Sequence, residues 1–65
     1  MKNCFVENLK RLRKEGKITQ RQLAVALHTT VKTISHWETG YTEPSINQIL
    51  ELADFFGVSL EELLS

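Results

Sequence analysis

The sequence has little cysteine, proline and glycine, and it contains no long apolar run. Cys4 is the single cysteine, which excludes an internal disulfide and a zinc site built from several cysteines, so we interpret it as a small apolar residue near a helix start. No apolar run approaches the roughly 20 residues that span a bilayer. The first residues also lack the apolar stretch and cleavage site of a secretory signal. We therefore expect a cytoplasmic protein outside the membrane.

The net charge is zero, but the charges are segregated along the chain. All eight basic residues precede Trp37, where Glu7 and Glu15 are the only acids, and the other acids follow it. A basic half can approach phosphates while an acidic half faces away, so zero net charge permits a basic footprint for nucleic acid. Chance segregation on solvated surfaces is the alternative.

The length of 65 residues suits one compact domain, residues 1–65, with a core made by economical helix packing. Apolar residues recur at helical spacing throughout, and no segment shows the alternation of a strand. The fold class is therefore predicted to be all-α, with five helices. The first covers residues 4–15 and is capped by Asn3, the second begins at Gln20, the third lies between Thr30 and Gly40, the fourth between Ser45 and Gly57, and the fifth begins at Leu60.

Capping signals fix most of these boundaries. A Ser or Thr followed three residues later by Gln or Glu forms a capping box, and the chain has three: Thr19 with Gln22, Ser45 with Gln48, and Ser59 with Glu62. Thr30 is predicted to cap the third helix. His28 lies in the preceding sharp turn, which commonly needs one residue with positive φ.

The helical spacing also predicts the core. The first three helices should bury Phe5, Leu9, Leu12, Leu23, Ala24, Leu27, Ile34 and Trp37. The last two should bury Ile46, Ile49, Leu50, Ala53 and Phe56, with Leu63 or Leu64 and Val58 packed against them.

The third helix exposes a small polar face. A wheel of about 100° per residue points Lys32 and His36 directly outward when Ile34 faces the core, and Thr33 flanks them. The same wheel turns Val31 toward the inner side, although Thr30 and Val31 also lie at the leading end of the helix. Lysine, histidine and threonine can bond to base edges, and valine can contact a thymine methyl group. An ordinary solvated helix face is the alternative.

The chain resembles the Cro and phage-repressor type helix-turn-helix proteins, the xenobiotic-response-element family, along nearly its full length. The matching residues form five groups: Leu9, Leu12 and Arg13; Ile18, Thr19, Gln20, Leu23, Ala24 and Leu27; Thr33, Ile34, Ser35, Trp37, Glu38 and Gly40; Pro44, Ser45 and Ile46; and Leu52, Ala53 with residues 56–64. The resemblance implies a compact five-helix bundle of the phage-repressor DNA-binding domain type, in which helices two and three form the helix-turn-helix. Two departures are His28, where the family usually has glycine, and Glu43, where it often has a basic residue.

The resemblance also implies roles for individual residues. Base reading falls to Thr30, Val31, Lys32, Thr33 and His36. Phosphate contact falls to the Gln20 amide and the backbone amides around Thr39, Gly40 and Tyr41, with Arg21 and Lys17 as lesser candidates. Arg13 and Glu38 resemble an ion pair between the first and third helices, and the wheel independently turns Glu38 partly inward, where an unpaired carboxylate would be unfavourable. Trp37 could stack on bases, but its inward angle favours the core.

No group of residues suggests catalysis or a cofactor. His28 and His36 lack a third ligand for a metal site, no nucleophile has a histidine and an acid arranged around it, and no glycine-rich phosphate loop exists. We expect no enzyme activity, no metal site and no small-molecule substrate. The predicted function is a sequence-specific regulator of transcription, a repressor, whose partner is double-stranded DNA.

One copy would cover few bases, so a homodimer with half-sites about 34 Å apart is expected. The candidates for its interface are Phe55, Leu52 and Leu60. The competing prediction is a protein-interaction module, an antitoxin-like or regulatory partner domain that binds through its acidic half.

Overall fold

The computed structural model describes residues 4–65. These residues form five helices, α1 (Phe5–Glu15), α2 (Gln20–Ala26), α3 (Val31–Thr39), α4 (Ile46–Phe56) and α5 (Leu60–Leu64). No strand occurs in this range, so the all-α prediction is confirmed.

All three predicted capping boxes are present. The side chains of Thr19, Ser45 and Ser59 each accept a hydrogen bond from the backbone N–H three residues later, and the side chain at that position accepts from the cap's own N–H. Thr30 caps α3 by accepting from the N–H of Thr33. The helix starts are therefore fixed by local hydrogen bonds. The predicted cap Asn3 lies outside the described residues, and α1 begins after Cys4, whose side chain makes no cap bond.

Two connections use a non-glycine residue with positive φ. His28 has φ of 56° in the turn between α2 and α3, as predicted. Lys17 also has φ of 56°, which was not predicted because the first helix was expected to end simply at Gly16. Gly16 itself has φ of −81°, and a Cβ there would lie 3.2 Å from Ile18 Cδ1. Glycine at this position therefore provides space for Ile18.

The core lies where α1, α2, α3, α4 and α5 meet. Its fully buried large side chains are Leu9, Leu23, Ile34, Leu52 and Leu63. Trp37 is 2% exposed, which confirms its predicted place in the core. Leu12, Leu27, Ile49, Phe56, Val58 and Leu64 pack partly buried around this centre.

The predicted inward face of α4 was partly wrong. Ile46 and Leu50 are 70% and 49% exposed, whereas Leu52 is fully buried. The helix has more apolar residues than one face can bury, so periodicity alone could not determine which arc turns inward. The structure selects the arc centred on Leu52, which leaves Ile46 and Leu50 on the solvent side.

Asn8 joins α1 to the end of α5. Its buried side chain donates from Nδ2 to the carbonyls of Leu63 at 2.9 Å and Glu62 at 3.2 Å. The N–H of Cys4 also donates to the carbonyl of Leu64 at 3.0 Å. These bonds satisfy carbonyls at a helix C-terminus that lack partners within the helix. The first helix therefore fixes the position of the last.

Candidate nucleic-acid interface

The turn between α2 and α3 is closed by backbone hydrogen bonds. The N–H of His28 donates to Val25 O at 3.2 Å, and that of Thr29 donates to Ala24 O at 2.8 Å. Ala24 is 3% exposed and Ile34 is fully buried, so a small side chain lies on α2 beside its partner helix. These bonds and this burial hold α3 in one orientation against the rest of the molecule.

The inner and outer faces of α3 are sharply different. Ile34, Trp37 and Glu38 are buried, whereas Lys32 is exposed, as the wheel predicts. Val31 is 41% exposed and therefore lies on the accessible side, contrary to the wheel. A compact polar face with one apolar residue at its leading end is left open to solvent.

The two threonines at the leading end of α3 are bonded to each other. The hydroxyls of Thr30 and Thr33 are 3.0 Å apart, and the Thr33 N–H donates to Thr30 Oγ1 at 3.1 Å. Thr33 is accordingly half-buried, while Thr30 is exposed. The cap of the helix thus orients both of these predicted base-reading side chains.

His36 does not project freely into solvent as the wheel predicts. It is half-buried, and the ring of Tyr41 lies beside it, with ring centroids 4.7 Å apart and planes tilted by 54°. Tyr41 is itself 76% exposed. The sequence analysis missed this pair because it considered Tyr41 only for its backbone amide, although Gly40, directly after the last residue of α3, signals that the chain folds back there.

The predicted use of backbone amides after α3 for phosphate needs correction. The N–H of Gly40 donates to Trp37 O at 3.3 Å, and the N–H of Tyr41 donates to His36 O at 2.9 Å. Both amides close the helix and are not free to bind phosphate. Thr39 also donates its one hydroxyl hydrogen to His36 O at 3.2 Å, so among these three residues the Tyr41 hydroxyl is the donor that remains for a phosphate.

A buried polar network joins three helices behind the exposed face. Arg13 donates from Nε to Glu38 Oε2 at 2.6 Å, from a second nitrogen to Oε1 at 3.1 Å, and from its third nitrogen to Ile18 O at 2.9 Å. Glu38 is only 5% exposed. The predicted ion pair between α1 and α3 is therefore present, with the planar two-bond geometry that favours arginine.

The Gln20 side chain belongs to the same network. Its Nε2 donates to Glu38 Oε1 at 3.1 Å, which was not predicted. One amide hydrogen is thus used inside the molecule and the other is left for a ligand. The amide lies at the first residue of α2, where helix N–H groups favour an anion.

Three cations near the helix-turn-helix have no acidic partner among residues 4–65. They are Lys17, Arg21 and Lys32, and all are exposed. The ion pair on the outer side of α1 joins Arg11 to Glu15 at 3.4 Å. Unpaired basic side chains on and beside a polar helix face that exposes no acidic residue are suited to phosphate oxygens.

The dimerisation candidates divide into buried and exposed residues. Leu52 is fully buried, so its prediction as an interface residue was wrong: it fills the core. Phe55 and Leu60 are 40% and 37% exposed, and Phe55 also contacts the edge of Phe56 at a centroid distance of 5.1 Å. These two remain available to a partner.

In the described part of the chain, no three side chains among His, Cys, Asp and Glu are grouped as metal ligands would be. Across the same residues, every helix is too short or too polar to cross a bilayer.

Comparison with known proteins gives a family match over most of the chain. Residues 9–63 match the family described as helix-turn-helix, HTH_3. The HTH-type transcriptional activator BcrR of Enterococcus faecalis is 39% identical over 61 residues, which are 94% of this chain and 30% of BcrR. The chain spans between 30% and 52% of the length of the curated relatives that it matches.

Solved structures include both a regulator and an enzyme with this fold. A transcriptional regulator from Listeria innocua superposes with a TM-score of 0.93 at 34% identity, over 98% of this chain and 60% of that one. Hydroxypropylphosphonic acid epoxidase from S. wedmorenis superposes with a TM-score of 0.85 at 32% identity, over 94% of this chain and 32% of the enzyme. Because the fold also occurs within an enzyme, function has to be argued from the site.

Proposed function

The chain belongs to the helix-turn-helix family, and on that premise we propose that it binds double-stranded DNA sequence-specifically, with α3 in the major groove. The observation that carries the proposal is the division of α3 into two faces. Trp37 and Glu38 anchor one face in the core, while Lys32 and its neighbours are exposed on the other. A helix held in this way presents a rigid edge of the width that a major groove admits.

The exposed side chains supply complementary kinds of base contact. Lys32 can donate to guanine O6 or N7, and His36 can donate to a base acceptor. The methyl groups of Val31 and Thr30 at the leading end can contact thymine. Thr33 orients Thr30 through their shared hydrogen bond, so we assign it a supporting place in base reading.

Backbone contacts would come from residues around α2. Lys17 and Arg21 are exposed and unpaired, and the second amide hydrogen of Gln20 lies at a helix N-terminus. The hydroxyl of Tyr41 can add a side-chain contact at the other end of α3, where the Thr39 hydroxyl is already donated to His36 O. Such contacts fix the register of the protein on DNA but carry no sequence information.

We further propose that the protein regulates transcription as a homodimer. Two copies related by a two-fold axis would place their α3 helices in successive major grooves about 34 Å apart. Repression is the simplest consequence, because occupancy of a promoter is sufficient for it. The relative BcrR is an activator by name. A reporter gene driven by the selected site therefore distinguishes repression from activation by whether the protein lowers or raises its expression.

Selection of bound sites from randomised duplexes tests this function. The wild-type protein should enrich a palindromic consensus, and Lys32→Ala with His36→Ala should abolish that preference while circular dichroism shows an unchanged helical fold. Glu51→Gln, on the exposed side of α4, is the control and should keep the consensus. Recovery of no consensus by the wild type would refute the proposal and favour a protein-interaction module.

A further inference from the structure

We propose that Tyr41 is a positioning residue for sequence discrimination, because its ring holds the imidazole of His36 in place on the base-reading face of α3. This inference rests on the proposed function. Tyr41 lies after the end of α3, outside the face that a helical wheel assigns to DNA. It therefore acts through His36 on the choice of bases.

The backbone after α3 turns Tyr41 back over the helix. Gly40 takes a left-handed conformation with φ of 78°, which glycine adopts without strain. The carbonyl of His36 then accepts from the N–H of Tyr41 at 2.9 Å and from the Thr39 hydroxyl at 3.2 Å. His36, whose ring contacts Tyr41, therefore also accepts the hydrogen bonds that close the turn.

The rings of His36 and Tyr41 are in contact at the surface. His36 has an outward position on α3 yet is half-buried, and the ring that contacts it is Tyr41, at a centroid distance of 4.7 Å. Tyr41 is 76% exposed, so its ring is not held by the core. The contact is therefore a surface pair in which the tyrosine restricts the histidine.

Restriction of the imidazole has a consequence for recognition. A free histidine on a helix surface exchanges between side-chain rotamers and loses that freedom when it binds a base edge. An imidazole already held by Tyr41 loses less side-chain freedom on binding. The resulting gain in affinity applies only to the base pair that the imidazole can contact in its held position. Tyr41 should therefore raise discrimination at the base pair read by His36 without changing the rest of the consensus.

A phosphate contact by the Tyr41 hydroxyl is a different role with a different signature. Loss of a phosphate contact made by an uncharged hydroxyl weakens binding to all sequences alike, and it leaves the slope of log affinity against log salt unchanged because no charge is removed. Loss of ring packing instead alters preference at one position. Tyr41→Phe removes only the hydroxyl, whereas Tyr41→Ala removes the ring.

The experiment is a double-mutant cycle measured on two duplexes. The first duplex carries the consensus obtained by site selection, and the second differs at the one base pair whose preference His36→Ala removes. Affinities for both are measured for wild type, His36→Ala, Tyr41→Ala, the double variant and Tyr41→Phe. Val31→Ala combined with Tyr41→Ala is the matched control, because Val31 lies at the opposite end of α3.

Tyr41→Ala should reduce discrimination between the two duplexes by between about twofold and tenfold, the range of an aromatic pair. It should have no such effect when His36 is already alanine, and Tyr41→Phe should keep the wild-type discrimination between the two duplexes. Unchanged discrimination in Tyr41→Ala, an equal loss of affinity for the consensus duplex from Tyr41→Ala in both backgrounds, or a loss of discrimination in Tyr41→Phe would overturn the inference while DNA binding stands. Absence of sequence preference in the wild type would instead remove the proposed function itself.

Discussion

Arg13 holds the carboxylate of Glu38 through two hydrogen bonds of 2.6 and 3.1 Å and thereby joins α1 to α3. The same guanidinium donates to Ile18 O, and Glu38 also accepts from Gln20 on α2. One buried carboxylate is thus bonded by side chains from two other helices. The orientation of the proposed recognition helix depends on this contact as well as on apolar packing.

Arg13→Ala should destabilise the protein strongly. It leaves the carboxylate of Glu38, which is 5% exposed, with Gln20 as its remaining partner, and loss of one member of a buried pair costs about 3 to 5 kcal/mol. Glu38→Ala should cost less, about 2 to 3 kcal/mol, because Arg13 is 15% exposed and keeps the Ile18 carbonyl. Urea unfolding of both variants measures which substitution lowers the free energy of unfolding more. Glu15→Ala, which breaks the exposed pair with Arg11, is the control and should stay within about 0.5 kcal/mol; equal losses in all three would contradict this interpretation.

Asn8→Ala should destabilise the packing of α5 on α1. The asparagine donates to the carbonyls of Glu62 and Leu63, and unpaired buried carbonyls cost about 1 to 3 kcal/mol. Hydrogen exchange should show faster opening of α5 than of α3. Asn47→Ala, at an exposed position of α4, provides the comparison and should change the free energy of unfolding very little. Unchanged exchange in α5 would show that these bonds do not hold it.

The helix boundaries were predictable from the sequence because their determinants are local. A capping box needs two side chains three residues apart, and the boxes at Thr19, Ser45 and Ser59 all formed. The positive φ of His28 followed in the same way from the length of the turn. Short-range chemistry of this kind is specified by neighbouring residues alone.

Features that depend on how helices are rotated against each other were not predictable. The exposed Leu50 and the buried Leu52 exchange places if α4 turns by part of a revolution, and periodicity does not fix that angle. The bond of Asn8 to Leu63 and the contact of Tyr41 with His36 likewise require known backbone positions. The outward position of Lys32 was predictable, because Ile34 and Trp37 define the inner side.

His28→Gly should stabilise the protein modestly. The left-handed conformation costs a residue with a Cβ about 1 to 2 kcal/mol. Glycine removes that strain, but it also raises the conformational entropy of the unfolded chain, which offsets part of the gain in stability. We expect a net increase of about 0.5 kcal/mol in the free energy of unfolding, measured by thermal denaturation. Glu43→Gly, at an exposed residue without positive φ, should instead destabilise by about 0.5 to 1 kcal/mol. A loss at His28 would mean that its side chain makes a stabilising contact.

Lys17→Ala and Arg21→Ala should each reduce the salt dependence of DNA binding. Each cation that neutralises a phosphate contributes about 0.9 to the slope of log affinity against log salt, and both residues are exposed and unpaired in the described chain. Fluorescence anisotropy over a salt series measures the slope. Glu61→Gln changes the net charge by one unit in the opposite direction on α5 and should leave the slope unchanged. A slope insensitive to both basic residues would place the phosphate contacts elsewhere.

Phe55→Lys should dissociate a homodimer formed through α4 and α5 without unfolding the subunit. Phe55 and Leu60 are 40% and 37% exposed. In a two-fold interface both copies would carry the substituted lysine, so two like charges would be buried near each other without partners. Sedimentation should then report the monomer mass of 7.5 kDa in place of twice that value. Leu50→Lys adds the same charge at another exposed apolar position of α4 and should preserve the dimer. If Leu50→Lys dissociates the protein and Phe55→Lys does not, the interface lies on the Ile46 and Leu50 side, and the spacing of DNA half-sites has to be derived from that face.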